Sequence, residues 1–157
     1  RDIVRVDENA PAGALREWAV AHPSEWALIF GTPVPGYVAP ADTIGPASRY
    51  TVVLVALLVD LEAAGVRFHG EVARPVRRDL ADLRRRVPIT CSDEALQAGM
   101  TAWAGLMGAV SLELFGHLHN VIETPGGLFD AVVEHHGAVL LAGLPGTGPG
   151  RRASKRP

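Results

Sequence analysis

Glu113 and His117 stand four residues apart in a stretch of helical period, so a helix there would carry a carboxylate and an imidazole on one face. That spacing can present two ligands to one metal ion, and His135 or His136 further on would offer a third. The same pair serves equally as a helical ion pair or hydrogen bond, and histidines are common at subunit interfaces. We therefore assign no metal and no cofactor. His22 and Ser24 are near enough to suggest a hydroxyl and its base, but no acid is placed to orient the imidazole, and a junction between helices accounts for both. The sequence holds no Gly-x-Ser-x-Gly elbow, no phosphate-binding glycine loop and no His-Glu-x-x-His pair, which argues against an enzyme. Cys91 is the one cysteine, so it forms no internal disulfide and no Cys-x-x-Cys site; a reducing, cytoplasmic setting is expected.

The chain has 15 basic and 17 acidic residues, a net charge of -2. Four of the basic ones, Arg151, Arg152, Lys155 and Arg156, lie at the very end, which leaves residues 1–143 with a net charge of -6. A body that acidic is repelled by phosphate backbones and is a poor direct ligand of nucleic acid. The arginines between Arg74 and Arg86 are interrupted by Asp79 and Asp82, as expected of the solvated face of an amphipathic helix.

At 157 residues, nearly half of them apolar, the chain has the size of one domain with a substantial core. Helical periodicity dominates and no run alternates with period two, so the expected fold is all-α with about six helices. A helix from Ala12 to Ala21 stops at His22-Pro23. A short one follows, capped by Ser24, bearing Trp26, Leu28, Ile29 and Phe30 and halted by Gly31. Residues 32–46 contain four prolines and two glycines and are expected to form a loop or lid. Pro46 then suits the first turn of a helix whose valines and leucines cover every side until Gly65, and that helix should be central and buried. Pro75 opens an amphipathic helix with Val76, Leu80, Leu83 and Val87 on one face. Ser92 or Asp93 caps a long helix reaching about Ile122, and a last helix spans about Leu128 to Leu141. No apolar run approaches the roughly 20 residues of a membrane span, so a soluble protein without membrane contact is expected. The chain starts at Arg1 with no recognisable leader, as a fragment of something longer would. Residues 144–157, rich in glycine, proline and charge, are expected to be a disordered basic tail.

The long helix has two apolar stripes. Trp103, Met107, Val110, Leu114 and Val121 form one, suited to its own domain. Gly105, Gly108, Leu112, Phe115, His119 and Ile122 form another. Glycine inside a helix costs about 1 kcal/mol relative to alanine, so two on one face suggest close approach of another backbone. With Phe129, Val133 and Leu140 on the last helix, these residues would form the interface of a homodimer, the last two helices of each copy making a four-helix bundle.

The runs HPSEWALIFGTPVPGYVAP, DTIGPASRY and WAGLMGAVSLELFGHL resemble the C-terminal regulatory domain of tetracycline-repressor (TetR) family transcriptional regulators, in the actinobacterial branch called WHG-domain regulators. The likeness spans residues 14 to about 141. It implies a ligand-binding and dimerisation domain over residues 1–143 and an N-terminal helix-turn-helix domain, absent from this chain, that reads operator DNA. It further implies a regulator, a repressor in most relatives, controlled by a small apolar effector. Candidates for the effector pocket are Trp18, Trp26, Phe30, Tyr37, Tyr50, Trp103, Met107 and Leu114, since such pockets are mostly apolar with a few polar groups to fix orientation. Two other readings are a helical dimerisation module without a physiological ligand, and a small helical enzyme using Glu113 or His117.

Overall fold

Local backbone chemistry sets the ends of nearly every helix. The computed structural model describes residues 10–31, 36, 40 and 44–142 of the 157, with the backbone alone at 10, 11, 44 and 46–48. These residues form α1 (Ala10–Ala21), α2 (Pro23–Phe30), α3 (Ile44–Ala63), α4 (Arg74–Arg84), α5 (Asp93–Leu114) and α6 (Pro125–Leu141). No described residue lies in a strand, and no described helix is long and apolar enough to cross a membrane. The expected basic tail, most of the proline-rich loop and Tyr37 lie outside the described residues.

Between α1 and α2, His22 occupies the cap position without a side-chain capping bond, its Nδ1 lying 3.0 Å from Trp18 O instead, and Pro23, not Ser24, starts the second helix. Proline has no N–H to leave unsatisfied and its fixed φ suits the first helical position. Helix α3 begins before Pro46 and stops at Gly65, whose φ of +95° lets the Val66 N–H bond back to Leu61 O. Ser92 caps α5: its Oγ accepts from Ala95 N at 3.1 Å while donating to Glu62 Oε1 at 2.5 Å, and Ser92 N donates to Glu62 Oε2 at 3.0 Å. One carboxylate thus ties the end of α3 to the start of α5.

Helix α5 ends two turns earlier than the apolar pattern suggests. Gly116, at φ +75°, takes the left-handed position after Leu114 and the His117 N–H bonds to Leu112 O. Residues 115–121 are turns, with Asn120 also at positive φ. Helix α6 starts a turn early, because Pro125 fits its first position and Gly126 and Gly127 belong to its first turn.

Two clusters of buried side chains flank α5. The first joins Leu58, Val72, Leu80, Cys91, Ala95 and Leu96, bringing α3 and α4 onto the N-terminal half of α5. The second, the lower core where the first is the upper, joins Ala19, Trp26, Ala109, Val110 and Phe129, bringing α1, α2 and α6 onto its C-terminal half. The most extensive helix pair is α5 with α6. Helix α3 is not buried all round as expected: Val52 and Val53 are 63% and 67% exposed, and Leu57 is also exposed. In a single chain its closest neighbour is α5, and one neighbouring helix plus the side chains of α4 covers only one side of a helix apolar on all of them. Val87, expected on the inner face of α4, lies past the helix end and is exposed.

Candidate functional site at the seam between two cores

Trp103 sits on α5 between the two buried clusters and belongs to neither. Three further rings converge around it. Tyr50, from α3, stacks on the indole at 4.8 Å with 17° between planes. Phe30, from the end of α2, meets it edge-on at 6.4 Å and 66°. Trp26, one turn earlier on α2, lies 4.5 Å from Phe30. The four rings form a chain crossing from the lower core to the surface: Trp26 is fully buried, Phe30 and Trp103 are half-buried and Tyr50 is 43% exposed.

The two tryptophans differ in how their N–H groups are served. Trp26 Nε1 donates to Ser111 Oγ at 3.2 Å, an ordinary core arrangement. The Trp103 N–H and the Tyr50 hydroxyl have no hydrogen-bond partner among the described residues, and no described buried side-chain nitrogen or oxygen lacks one. The Trp103 N–H, on a half-buried residue, therefore reaches solvent. Met100, one turn before Trp103, and Val53 and Leu57, following Tyr50 on α3, are exposed apolar neighbours in the helices that frame this seam.

Four of the eight expected pocket residues, Trp26, Phe30, Tyr50 and Trp103, are thus brought together. Met107 and Leu114 pack against the lower core beside Trp26. Trp18 stands apart, stacked on His22 at 5.5 Å on α1.

The residues expected at an interface divide into four groups. Leu112 on α5 and Phe115 just past its end are exposed, and a Cβ at Gly108 would meet nothing within 4 Å. Gly105 instead faces its own α6: a Cβ there would lie 2.2 Å from His136 Nε2, so this glycine makes room for a ring of the same chain. Phe129, 2% exposed, lies in the lower core, and Val133 and Leu140 pack against the lower and upper cores. His119 and Ile122 lie beyond the end of α5, lining an open depression of about 680 Å³ with Glu113, Asn120 and Pro125. The exposed side of α6 carries Ala131, His135, Ala138 and Val139 instead. On α5 it carries Thr101, Ala104 and Leu112, with the half-buried Gly108 between them and Phe115 just past the helix end, at three- and four-residue steps. The alanines carried too little hydrophobicity to be noticed in the sequence.

Glu113 is engaged by a partner that sequence spacing did not suggest. Arg16 Nε and Nη2, on α1, donate to Glu113 Oε2 and Oε1 at 2.9 and 2.6 Å, a bidentate pair that holds the guanidinium above its ordinary pKa. The same guanidinium lies 5.9 Å from the Phe129 ring centre and above Gly126. Since α5 stops at Leu114, His117 does not share its face, and no group of three metal-ligating side chains occurs among the described residues.

The arginines of α4 are not merely a solvated face. Arg77 reaches Asp93 Oδ2 at 3.0 Å and Glu94 Oε1 at 3.1 Å, and Arg84 pairs with Asp93 while donating to Cys91 O at 2.6 Å. The Glu94 carboxyl sits below the usual carboxylate range, first through a backbone hydrogen bond in the opening turn of α5 and then through Arg77. Arg78 and Arg86 are exposed, and Arg85 pairs at the surface with Asp82.

Comparison with known proteins places these features in context. A family model described as tetracyclin repressor-like, C-terminal domain, matches residues 9–136. The chain is 39% identical over 142 residues to HTH-type transcriptional regulators of Mycobacterium bovis and of two strains of Mycobacterium tuberculosis. The match covers 85% of this chain and 59% of each relative, so the chain spans well under two thirds of the proteins it resembles.

Proposed function

The chain belongs to the tetracyclin repressor-like C-terminal domain family, and from that premise we propose that it is the effector-sensing and self-associating part of a transcriptional regulator. The observation that carries the sensing role is the seam at Trp103, where two cores fail to merge and half-buried rings remain open on one side. A small apolar effector lying against Trp103, Tyr50 and Phe30 would cover surface that the chain leaves exposed. Self-association would use the outer faces of α5 and α6, the helices carrying Gly108, Leu112 and Phe115 and Ala131, His135 and Ala138. Two copies paired there give a four-helix bundle. The operator would be read by a helix-turn-helix of the intact protein, a reading supported by relatives named HTH-type transcriptional regulators.

Because α3 and α2 meet α5 on either side of the seam, an effector wedged there would alter how the upper and lower halves sit on the dimer helix. It acts only if it binds the operator-competent and released states with different affinity; a roughly 5- to 150-fold change in operator affinity corresponds to a coupling of about 1–3 kcal/mol. Operator release on binding is the expected sign. The reading gives Glu113 no catalytic part, since its carboxylate is committed to Arg16.

The test is a gel-shift titration of the intact regulator with compounds selected for raising its melting temperature. Release of operator by such a compound, abolished in Trp103→Ala, supports the proposal. Operator affinity unchanged by every stabilising compound would refute sensing and leave a helical dimerisation module. Sedimentation showing a monomer at tens of micromolar would refute the self-association.

A further inference from the structure

We propose that pairing through the outer faces of α5 and α6 is gated by protonation of His135, two copies associating while its imidazole is neutral and separating as the pH falls toward 5.5. The gate rests on the self-association proposed above.

His135 is exposed on α6, and its neighbour in sequence, His136, lies against Gly105, midway along α5. His135 therefore stands level with the middle of the α5–α6 pair, away from its ends. Ala131 and Ala138, one turn to either side, are exposed and small, so the imidazole stands proud of the surface that a second copy would cover. A ring in that position leaves water when two such faces close.

No counter-charge waits for it there. Helix α5 has no ionisable side chain between Glu94 and Glu113, and its outward residues Thr101, Ala104 and Leu112 are uncharged. On α6 the ionisable residues are Asp130, Glu134, His135 and His136. Gly126, Asp130 and Glu134 form one row at four-residue steps, and that row looks toward α1: Gly126 makes room for the Arg16 guanidinium, and the Asp130 charge is felt by Arg16. His136, in T-shaped contact with His135 at 5.2 Å, faces Gly105 between the two helices. His135 is thus the one ionisable side chain of the outer face among the described residues. A second copy related by two-fold symmetry brings the same face, so pairing adds another imidazole and no carboxylate.

The sign follows from the cost of burying charge. Histidine changes charge between pH 5 and 8, and an imidazolium buried without a partner is far more costly than a neutral ring. A second imidazolium nearby adds repulsion. Separated copies therefore hold more protons than the pair, and by linkage a falling pH favours separation. The His136 imidazole, pushed below its ordinary pKa first by burial and then by His135, shows that this turn of α6 already disfavours positive charge.

The experiment is sedimentation equilibrium of the chain at pH 7.5 and 5.5, with far-UV circular dichroism at both, on the native protein, His135→Gln and His135→Lys. Both substitutions fall at an exposed position that the fold does not depend on. With two imidazoles per pair, the native dissociation constant should rise at least about tenfold between pH 7.5 and 5.5, while His135→Gln associates equally at both and His135→Lys is at least about tenfold weaker than the native protein at pH 7.5. An equal loss of association in His135→Gln assigns the proton to another group and overturns the gate. So does a His135→Lys variant that pairs as tightly as the native protein, or a loss of helix in step with dissociation, which makes unfolding the cause. A native dimer insensitive to pH overturns the gate and leaves the self-association standing. A monomer at both pH values, at tens of micromolar, overturns the self-association and the gate with it.

Discussion

Gly105 and Gly108 are three residues apart on α5, alike in sequence terms and opposite in surroundings, and replacing each with alanine separates their roles. A methyl at Gly108 would meet nothing within 4 Å, so the substitution should return the full helix-propensity gain of about 1 kcal/mol. A methyl at Gly105 would lie 2.2 Å from Nε2 and 2.9 Å from Cδ2 of His136, distances that only displacement of the half-buried ring can relieve. Overpacking of this kind costs about 1–3 kcal/mol, which cancels or exceeds the propensity gain. Gly105→Ala should therefore be less stable than Gly108→Ala by about 1–3 kcal/mol, a gap of roughly 2–12 °C in melting temperature at about 2–4 °C per kcal/mol for a domain of this size. Urea unfolding at low protein concentration measures it, and the double variant Gly105→Ala/His136→Ala completes a cycle that isolates the contact. With the ring removed, Gly105→Ala should stabilise by about 1 kcal/mol. Equal stabilisation by both alanines in the presence of His136, or a coupling energy near zero, would refute the reasoning. The proposed interface adds a second reading of Gly108→Ala: a more stable monomer that self-associates less, two effects of opposite sign from one methyl group, separable by sedimentation.

Two further predictions concern the joints of the fold. Ser92→Ala removes the cap of α5 and one of the two bonds made by the Glu62 carboxylate, the one from the backbone N–H remaining, so it should cost more than the about 1 kcal/mol of an isolated cap and should be partly rescued by Glu62→Gln, read as the urea midpoint of the single and double variants. The His136 imidazole is pushed below its ordinary pKa, first by burial and then by its neighbour His135. A depressed histidine is neutral in the folded chain while the unfolded chain takes up a proton near pH 6.5, so stability contributed by the neutral ring is present above that pH and is lost as pH falls below it. Urea midpoints of the native protein should drop between pH 7.5 and 5 by more than those of His136→Gln, and parallel pH profiles would count against this account.

Local chemistry, written in the sequence, settled the number and order of the helices and most of their ends. Proline at 23 and 75, glycine at 31 and 65 and serine at 92 act through the backbone within one turn, so they work wherever the helix is placed. Composition likewise marked Trp26, Phe30, Tyr50 and Trp103 as rings in need of burial or a guest. Their meeting at one seam was beyond its reach, because they come from three helices and only the tertiary packing fixes which faces touch. The end of α5 shows the competition between the two levels: apolar spacing continues through Leu118, Val121 and Ile122, but a single glycine at positive φ overrides it. Rotation of a helix about its axis is the quantity that sequence constrains least. It turned Phe129, Val133 and Leu140 of α6 inward and left alanines outside, and it set His136 over Gly105. Long-range charge pairing followed the same rule: Arg16 with Glu113, and Arg77 and Arg84 with Asp93, join helices whose relative placement is decided by burying apolar area, with the ion pairs fitted afterwards to wherever that burial leaves them.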